Sequence, residues 1–406
     1  MQILLNNCGA VDPGSLEDYL AHGGFEVFQK ALAMSRPAII EEVKASKIQG
    51  RGGAGFPTGI KWEAVYKEQA DQKYVICNAD ESEIGTFKDR KLMEEDPFRL
   101  IETMLIAGYA VGATKGFVYI RGEYPLSIAR ITHAIKKSQA QGFLGENILG
   151  SGFSFDIEVR RGAGAYICGE ETALMESIEG KRGEPRNKPP FPVTHGLFGK
   201  PTVINNVETF YNILPILRHG GAWYASLGVP GSTGHKLFSI SGHVNRPGVY
   251  EVPFGVTLRT LLEDYAGGIK NGKQLQAVMV GGAAASYVTP DQLDVPLDYA
   301  SYRNIGCTLG SGAIIVFDET VDMWEVTRRF AKFFKHESCG KCVPCRIGCD
   351  RQYTLVERIA RGERQEGDYE LLLEISQVMK DASICGLGQT ASSPVLSAIK
   401  LFADQR

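Results

Sequence analysis

Glu337-Ser-Cys339-Gly-Lys-Cys342-Val-Pro-Cys345-Arg346, answered by Ser383-Ile-Cys385-Gly-Leu-Gly388, is the stretch around which the rest of the chain has to be built. Three thiolates two residues apart ride one tight turn while a separate segment closes a fourth corner, a spacing suited to a [4Fe–4S] cubane. Zinc and disulfides are the alternatives, although structural zinc prefers two separated Cys-x-x-Cys pairs. Cys349 extends the run to C-x2-C-x2-C-x3-C, a pattern in which the last cysteine serves a second cluster. No second run exists in this sequence. Cys339, Cys342, Cys345 and Cys385 are therefore read as the ligands, and Cys349 as a buried thiol.

Outward from these cysteines, Met323, Val326, Phe330 and Phe333 recur at helical spacing, as do the apolar positions of Leu371 to Met379 and Val395 to Phe402, so the ligands ride on a helical bundle. Before it, Lys236 to Gly242 and Gly248 to Pro253 flank Asn245-Arg-Pro-Gly, a hairpin signal. A short helix from Leu258 to Tyr265 and strands near Val278 and Ile314 complete a small α+β domain with no visible catalytic group.

The first half of the chain reads as strands alternating with helices, an α/β sheet domain. Leu16 to Lys47 predicts two helices. They lead into Gly50-Arg-Gly-Gly-Ala-Gly55-Phe56-Pro-Thr-Gly59-Ile-Lys61-Trp62, where backbone N–H groups can converge on an anion. The run is no dinucleotide fingerprint, because a helix rather than a strand precedes it, and no Walker loop, because Lys61 does not follow the last glycine. A plain structural loop is the bland reading. Tyr74 to Cys77 predicts a buried strand that ends in Asn78-Ala-Asp80-Glu81-Ser-Glu83, where carboxylates could accept from ribose hydroxyls or simply face water. Leu100 to Ala110, Gly116 to Ile120 and Pro125 to Ser138 continue the alternation as helix, strand and helix. Phe153 to Arg160 reads as a strand running into Gly162-Ala-Gly164-Ala-Tyr166-Ile-Cys-Gly169-Glu170-Glu171-Thr172, a glycine loop opening a helix; the glutamates could cap it or hold a cofactor. Lys181-Arg182-Gly-Glu-Pro-Arg186-Asn-Lys188-Pro-Pro-Phe191 is a basic loop suited to a pyrophosphate or merely solvated, and Thr202-Val-Ile-Asn205-Asn206-Val-Glu208-Thr209 reads as opening a further helix.

Composition narrows the class. The 406 residues are 44% apolar and 22% charged with a net charge of −3, an ordinary globular chain with no basic field for nucleic acid. Met104 to Ala113 is too short an apolar stretch to span a bilayer, and the N-terminus lacks the pattern of a signal peptide. The expectation is a cytoplasmic protein whose nine cysteines are thiols or metal ligands.

In register along nearly the whole chain, Gly50-Arg-Gly-Gly-Ala-Gly-Phe-Pro-Thr-Gly59, Cys77-Asn-Ala-Asp-Glu81, Tyr166-Ile-Cys-Gly-Glu-Glu-Thr172, Asn205-Asn-Val-Glu-Thr209 and the cysteine stretch closely resemble the NADH-binding flavoprotein family. That family includes the F subunits of NADH-quinone oxidoreductase (respiratory complex I) and the β subunits of soluble NAD-dependent formate dehydrogenases and hydrogenases. The resemblance implies an N-terminal helical segment and the start of the glycine loop (1–58), a Rossmann-like FMN and NADH domain (59–232), a ubiquitin-like domain of the soluble-ligand-binding type (233–321) and the helical bundle with one [4Fe–4S] cluster (322–406). It implies an FMN site of Gly50, Gly52, Gly53, Lys61, Asn78, Asp80, Tyr166, Gly169, Glu170, Asn205 and Asn206, and an NADH site of Phe56, Glu81, Glu83, Glu171, Lys188 and Phe191. Departures are Ala64, where the family can place an aromatic residue, and Cys349, where a small residue is more usual.

The implied activity is NADH dehydrogenation. Hydride passes directly from nicotinamide to FMN without a protein acid or nucleophile, and electrons leave singly through the cluster. The implied partners are a thioredoxin-like [2Fe–2S] protein and a further iron–sulfur or catalytic subunit, through which any membrane association would come. Asn7-Cys8-Gly-Ala-Val-Asp-Pro13 resembles the soluble enzymes, while the absence of thioredoxin-like and ferredoxin-like extensions matches the respiratory relatives. Two other classes stay in view: a non-enzymatic iron–sulfur or zinc scaffold with structural glycine loops, and a phosphoryl-transfer enzyme, against which the missing Walker lysine counts.

Overall fold

A computed structural model of the chain describes residues 2–405. Four strands, β1 (Tyr74–Ala79), β2 (Lys115–Ile120), β3 (Asp156–Arg161) and β4 (Thr202–Asn206), form a parallel sheet in the order β3-β2-β1-β4. Val75, Ile76, Cys77 and Ala79 are fully buried, as expected of a parallel strand covered on both faces. The chain steps outward from β1 to β3 and then restarts on the other flank with β4. The strand order thus reverses between β1 and β4, a switch point beyond whose carboxyl ends a crevice opens. Asn78 of β1 lies in register with Asn206 of β4 at that crevice.

Helix Pro97–Val111 is buried almost throughout and closes at Gly112, whose φ of 79° suits glycine. It accounts for the apolar stretch at Met104 to Ala113, and among the described residues no helix is long and apolar enough to cross a membrane. The N-terminal segment forms three helices, Leu16–Ala21, Glu26–Leu32 and Arg36–Ala45, rather than the two expected. The extra break has a physical cause at Gly24, where a Cβ would sit 2.2 Å from the Tyr19 ring. The buried Glu102 fixes the break by accepting the Tyr19 hydroxyl and the N–H groups of Phe25 and Phe28. Leu16, Phe28, Ile39 and Val43 share one apolar core with β1 and helix Pro97–Val111.

Thr202 to Asn206 corrects the expectation of a helix start: it is β4, and the helix begins at Val207 with Asn206 as its cap, accepting from the N–H of Glu208. The local cap signal is real, but the parallel pairing partner that makes Thr202 to Asn206 a strand lies more than a hundred residues earlier.

A two-stranded ribbon, β5 (Gly228–Val229) with β6 (Ser232–Thr233), leads into the second sheet. Its strands are β7 (His235–Gly242), β8 (Gly248–Pro253), β9 (Leu275–Val280), β10 (Ser286–Val288) and β11 (Ala313–Asp318), in the order β10-β9-β11-β7-β8. Only β7 and β11 run parallel. Leu258, Leu261 and Leu262 pack against Phe238, Ile240 and Val316 to close this small core, a ubiquitin-like arrangement.

The bundle comprises helices Met323–Glu337, Val343–Ala360, Asp368–Ala382, Gly386–Thr390 and Ser393–Phe402. Asp322 caps the first by accepting the N–H groups of Trp324 and Glu325. Trp324 is buried, donates to the carbonyl of Phe402 and stacks on Tyr369, which ties the first helix to the last and to helix Asp368–Ala382.

Candidate functional site

Beyond the carboxyl ends of β1 and β4 lies a cavity of about 370 Å³, within the range of small-molecule sites. Of the residues expected to hold flavin, Gly52, Gly53, Asn78, Asp80, Tyr166, Gly169, Glu170 and Asn206 line it, together with Glu81 and Glu83 from the set expected to hold NADH. The glycines are there for approach: Gly53 has a φ of 126°, and a Cβ on Gly52 would press on the Cβ of Asn206 at 3.1 Å. Asn78 donates to the carbonyl of Gly169 and so joins the end of β1 to the second glycine loop.

The cavity's carboxylates are unusual because they are buried. Both carboxylate oxygens of Asp80 are buried without a hydrogen bond of normal geometry, as is the Ser82 hydroxyl. Burial, only partly offset by the Arg121 guanidinium, pushes Asp80 up to about 7. Burial raises Glu83 to about 7 as well, although it accepts the Tyr166 hydroxyl at 2.8 Å and the Ala284 N–H at 3.2 Å. Glu81, raised by burial and by the neighbouring Asp89, spends its carboxylate on the N–H groups of Asp89 and Arg90, where helix Lys88–Glu95 begins. A buried acid short of well-aligned donors is poised to receive hydroxyl or amide donors from a ligand. Backbone openings at two glycine loops, convergent amides and acceptors short of partners fit a flavin mononucleotide with its polyhydroxyl chain.

The remaining expected residues stand outside this cavity. Gly50 closes the glycine loop, its N–H donating to the carbonyl of Phe56. Lys61, lowered by burial, donates to the carbonyl of Ile204 and lies over the Phe56 ring. Asn205 accepts from the indole of Trp62. Phe56 and Phe191 are 52% and 54% exposed, two large rings left in solvent. Lys188 pairs with Glu170 at 2.9 Å and Glu171 at 2.6 Å, while Glu170 also caps helix Glu171–Ile178 through the N–H groups of Thr172 and Ala173. The capping and cofactor readings of these glutamates are compatible.

Sequence reasoning missed several walls of the cavity. Lys88 is fully buried between Asp89 at 2.7 Å and Glu208 at 2.9 Å, and reaches Asn206 at 3.3 Å. Nothing in the sequence around Lys88 marks it as buried. The second domain, which showed no functional signal, supplies Gly281, Ala284, Thr308, Gly310 and Ser311. Only the fold shows the closeness of this approach: a Cβ on Gly282 would fall 2.3 Å from Cγ of Glu83. Arg51, inside the glycine run, turns away from the cavity to donate to Tyr224 and the carbonyl of Thr233 beneath the Phe254 ring.

The four cysteines expected as ligands come from two segments that the bundle brings together. Cys345 and Cys349 lie 3.9 Å apart, and the Ser338 hydroxyl is 3.2 Å from Cys345. Hydrogen bonding from the Cys349 thiol draws Cys345 down, and the same contact, with burial, pushes Cys349 up. Burial raises Cys339 and Cys385, whose sulfurs also feel the charge of Cys345. Gly388 packs so near Cys345 that a Cβ there would be 2.9 Å from the cysteine's own. Among the described residues no three histidine, cysteine or carboxylate side chains form a ready cage for a single metal ion. An all-thiol donor set drawn from two segments fits a cluster. The Tyr166 N–H donates to Glu337 at 2.9 Å, linking this segment to the cavity.

Three family descriptions match the chain in order: the Nuo51 FMN-binding domain over residues 43–215, the SLBB domain over 236–314 and the NADH-ubiquinone oxidoreductase-F iron-sulfur binding region over 325–406. The HndC subunit of the NADP-reducing hydrogenase of Solidesulfovibrio fructosivorans is 47% identical over 405 residues, covering 100% of this chain and 82% of that protein. The F subunit of the NADH-quinone oxidoreductase of Aquifex aeolicus is 48% identical over 391 residues, covering 96% of this chain and 90% of that one. A crystal structure of an NAD+-reducing [NiFe]-hydrogenase in the H2-reduced state superposes with a TM-score of 0.87 at 38% identity; this chain is covered completely and spans 66% of that one. The chain belongs to the family of NADH-quinone oxidoreductase F subunits and their hydrogenase counterparts.

Proposed function

We propose that the chain is the NADH-binding FMN and [4Fe–4S] subunit of a multi-subunit oxidoreductase. The observation that carries this reading is the joining, within one chain, of an acceptor-rich cavity at the switch point of a parallel sheet to a four-cysteine segment, through the Tyr166–Glu337 hydrogen bond. Bound flavin supplies two-electron chemistry toward a dihydronicotinamide, and a bound cluster supplies one-electron chemistry. The protein's part is position and exclusion of water.

Gly52 and Gly53 give the phosphate end its backbone donors. Asn78, Asp80, Glu170 and Asn206 take the hydroxyls and the ring edge. Glu83, fixed by Tyr166 and Ala284, marks the mouth of the cavity, and the exposed rings of Phe56 and Phe191 stack the adenine of the dinucleotide. Lys188, held between Glu170 and Glu171, faces the ribose and pyrophosphate. Cys339, Cys342, Cys345 and Cys385 are the cluster ligands. The partners are a thioredoxin-like [2Fe–2S] protein and a further iron–sulfur or catalytic subunit, and the chain works in the cytoplasm.

Anaerobically purified protein is expected to be yellow-brown, with about one FMN and four iron and four acid-labile sulfides per chain. Cys342→Ser removes the iron signal and leaves NADH oxidation by an artificial flavin-level acceptor intact. Colourless protein free of flavin and sulfide would sink the reading in favour of a structural scaffold.

A further inference from the structure

The basic loop at residues 181–191 is not spent on a free anion. Lys181 pairs with Glu179, Arg186 with Glu176 and Glu179, and Lys188 with Glu170 and Glu171. Arg182 crosses to the other side: its Nη2 donates to the carbonyl oxygen of Cys339 at 2.7 Å, across 157 positions of sequence. Lys341, between Cys339 and Cys342, reaches back in the opposite sense, donating to the carbonyl of Pro185 at 2.7 Å and lying 3.2 Å from the Glu184 carboxylate. The Tyr166–Glu337 bond runs parallel to these two. Both cation-to-carbonyl bonds are charge-assisted and engage backbone rather than cavity side chains, so each fixes where one loop lies against the other.

The same loop ends at Lys188 and Phe191, which face the dinucleotide in the function proposed above, and the present inference rests on that reading. A ligand that orders Lys188 and Phe191 thereby constrains Pro185 and Arg182, a few residues back along a proline-rich segment. Their hydrogen bonds end on the peptide of Cys339 and on the ammonium beside it.

We propose that residues 181–191 act as a strap coupling dinucleotide occupancy to the cysteine-held cluster, with Arg182 and Lys341 as its positioning residues. Coupling is reciprocal: the factor by which dinucleotide occupancy shifts the cluster's reduction equilibrium is the factor by which cluster reduction changes dinucleotide affinity.

The test uses the holoprotein with ADP-ribose, a redox-inert fragment that carries the adenine and pyrophosphate. Its Kd is measured by calorimetry, and the cluster midpoint by EPR-monitored redox titration with and without it. In the wild type, saturating ADP-ribose shifts the midpoint. Arg182→Met and Lys341→Met, with flavin and iron content retained, each raise the Kd about 5- to 10-fold and abolish the shift. Arg182→Lys, which keeps the cation, recovers most of both. A wild type without a shift, or Met variants with wild-type Kd, overturns the strap alone. A flavin- and iron-replete wild type that does not bind ADP-ribose overturns the proposed function and the strap with it.

Discussion

Asp80 ends up with both carboxylate oxygens buried and its titration pushed from the ordinary carboxylate range up to about 7 by burial. Between those limits the folded protein keeps a proton that the unfolded chain has lost, so this residue lowers stability as pH rises from about 4 to 7. In flavin-free protein, Asp80→Asn should flatten that decline by something on the order of 1–4 kcal/mol, read from urea unfolding at pH 5.5 and pH 8. Equal slopes for variant and wild type would show that Asp80 is already ionised in the folded state. Glu83→Gln makes a separate point. Its loss should raise the KM for NADH about tenfold while flavin absorbance persists, and loss of the flavin instead would mean that Glu83 holds the wrong ligand. Both acids are legible in sequence, because a strand running into Asn-Ala-Asp-Glu-Ser-Glu announces an acidic crevice. Lys88 is not, since only the fold reveals that its helix start faces inward onto Glu208.

Elements differ in how much of their own making they carry. The cysteine stretch and the glycine run are local signals, and each can be read without knowing its neighbours. β4 defeats such a reading because its five residues gain strand character from pairing with β1, while the cap at Asn206 is written in the adjacent letters. The second sheet's share of the cavity is invisible in sequence for a related reason: Gly281, Gly310 and Ser311 matter only after folding places them over Glu83 and Thr86. Helix Met323–Glu337 shows how local chemistry serves a distant site. Its cap at Asp322 fixes where the helix starts, and its last residue, Glu337, reaches the cavity wall through Tyr166. Asp322→Ala should therefore cost about 1 kcal/mol of stability, measured by chemical unfolding, with iron content unchanged. A loss of iron without a loss of stability would reassign Asp322 from helix capping to the cluster.

At the scale of the whole molecule, cohesion between the two sheets depends on a buried charge as much as on apolar contact. Glu208 is fully buried, follows β4, and lies 2.9 Å from Lys88 and 3.7 Å from Lys236 at the start of β7. It also accepts the N–H of Leu237. Burial works against its charge, and Lys236, Lys88 and Arg51 outweigh that, leaving it below the ordinary glutamate range. Lys236 is drawn down to about 8 by burial, against the pull of Glu208, and donates to the carbonyl of Ser311 at the cavity's edge. Replacing one member of such a set strands the others: Glu208→Gln leaves two buried ammonium groups short of a counter-charge, at a cost of about 3–5 kcal/mol near pH 7. The sign of the pH dependence follows from Lys236. Its folded titration lies below the unfolded one, so the folded protein sheds the proton first and gains stability as pH rises through that interval. Without Glu208 the interval extends further below 8, so the variant's deficit should shrink between pH 7 and pH 9 in guanidinium unfolding. A deficit under about 1 kcal/mol, or one that stays constant across that range, would mean that apolar contact alone holds the sheets together.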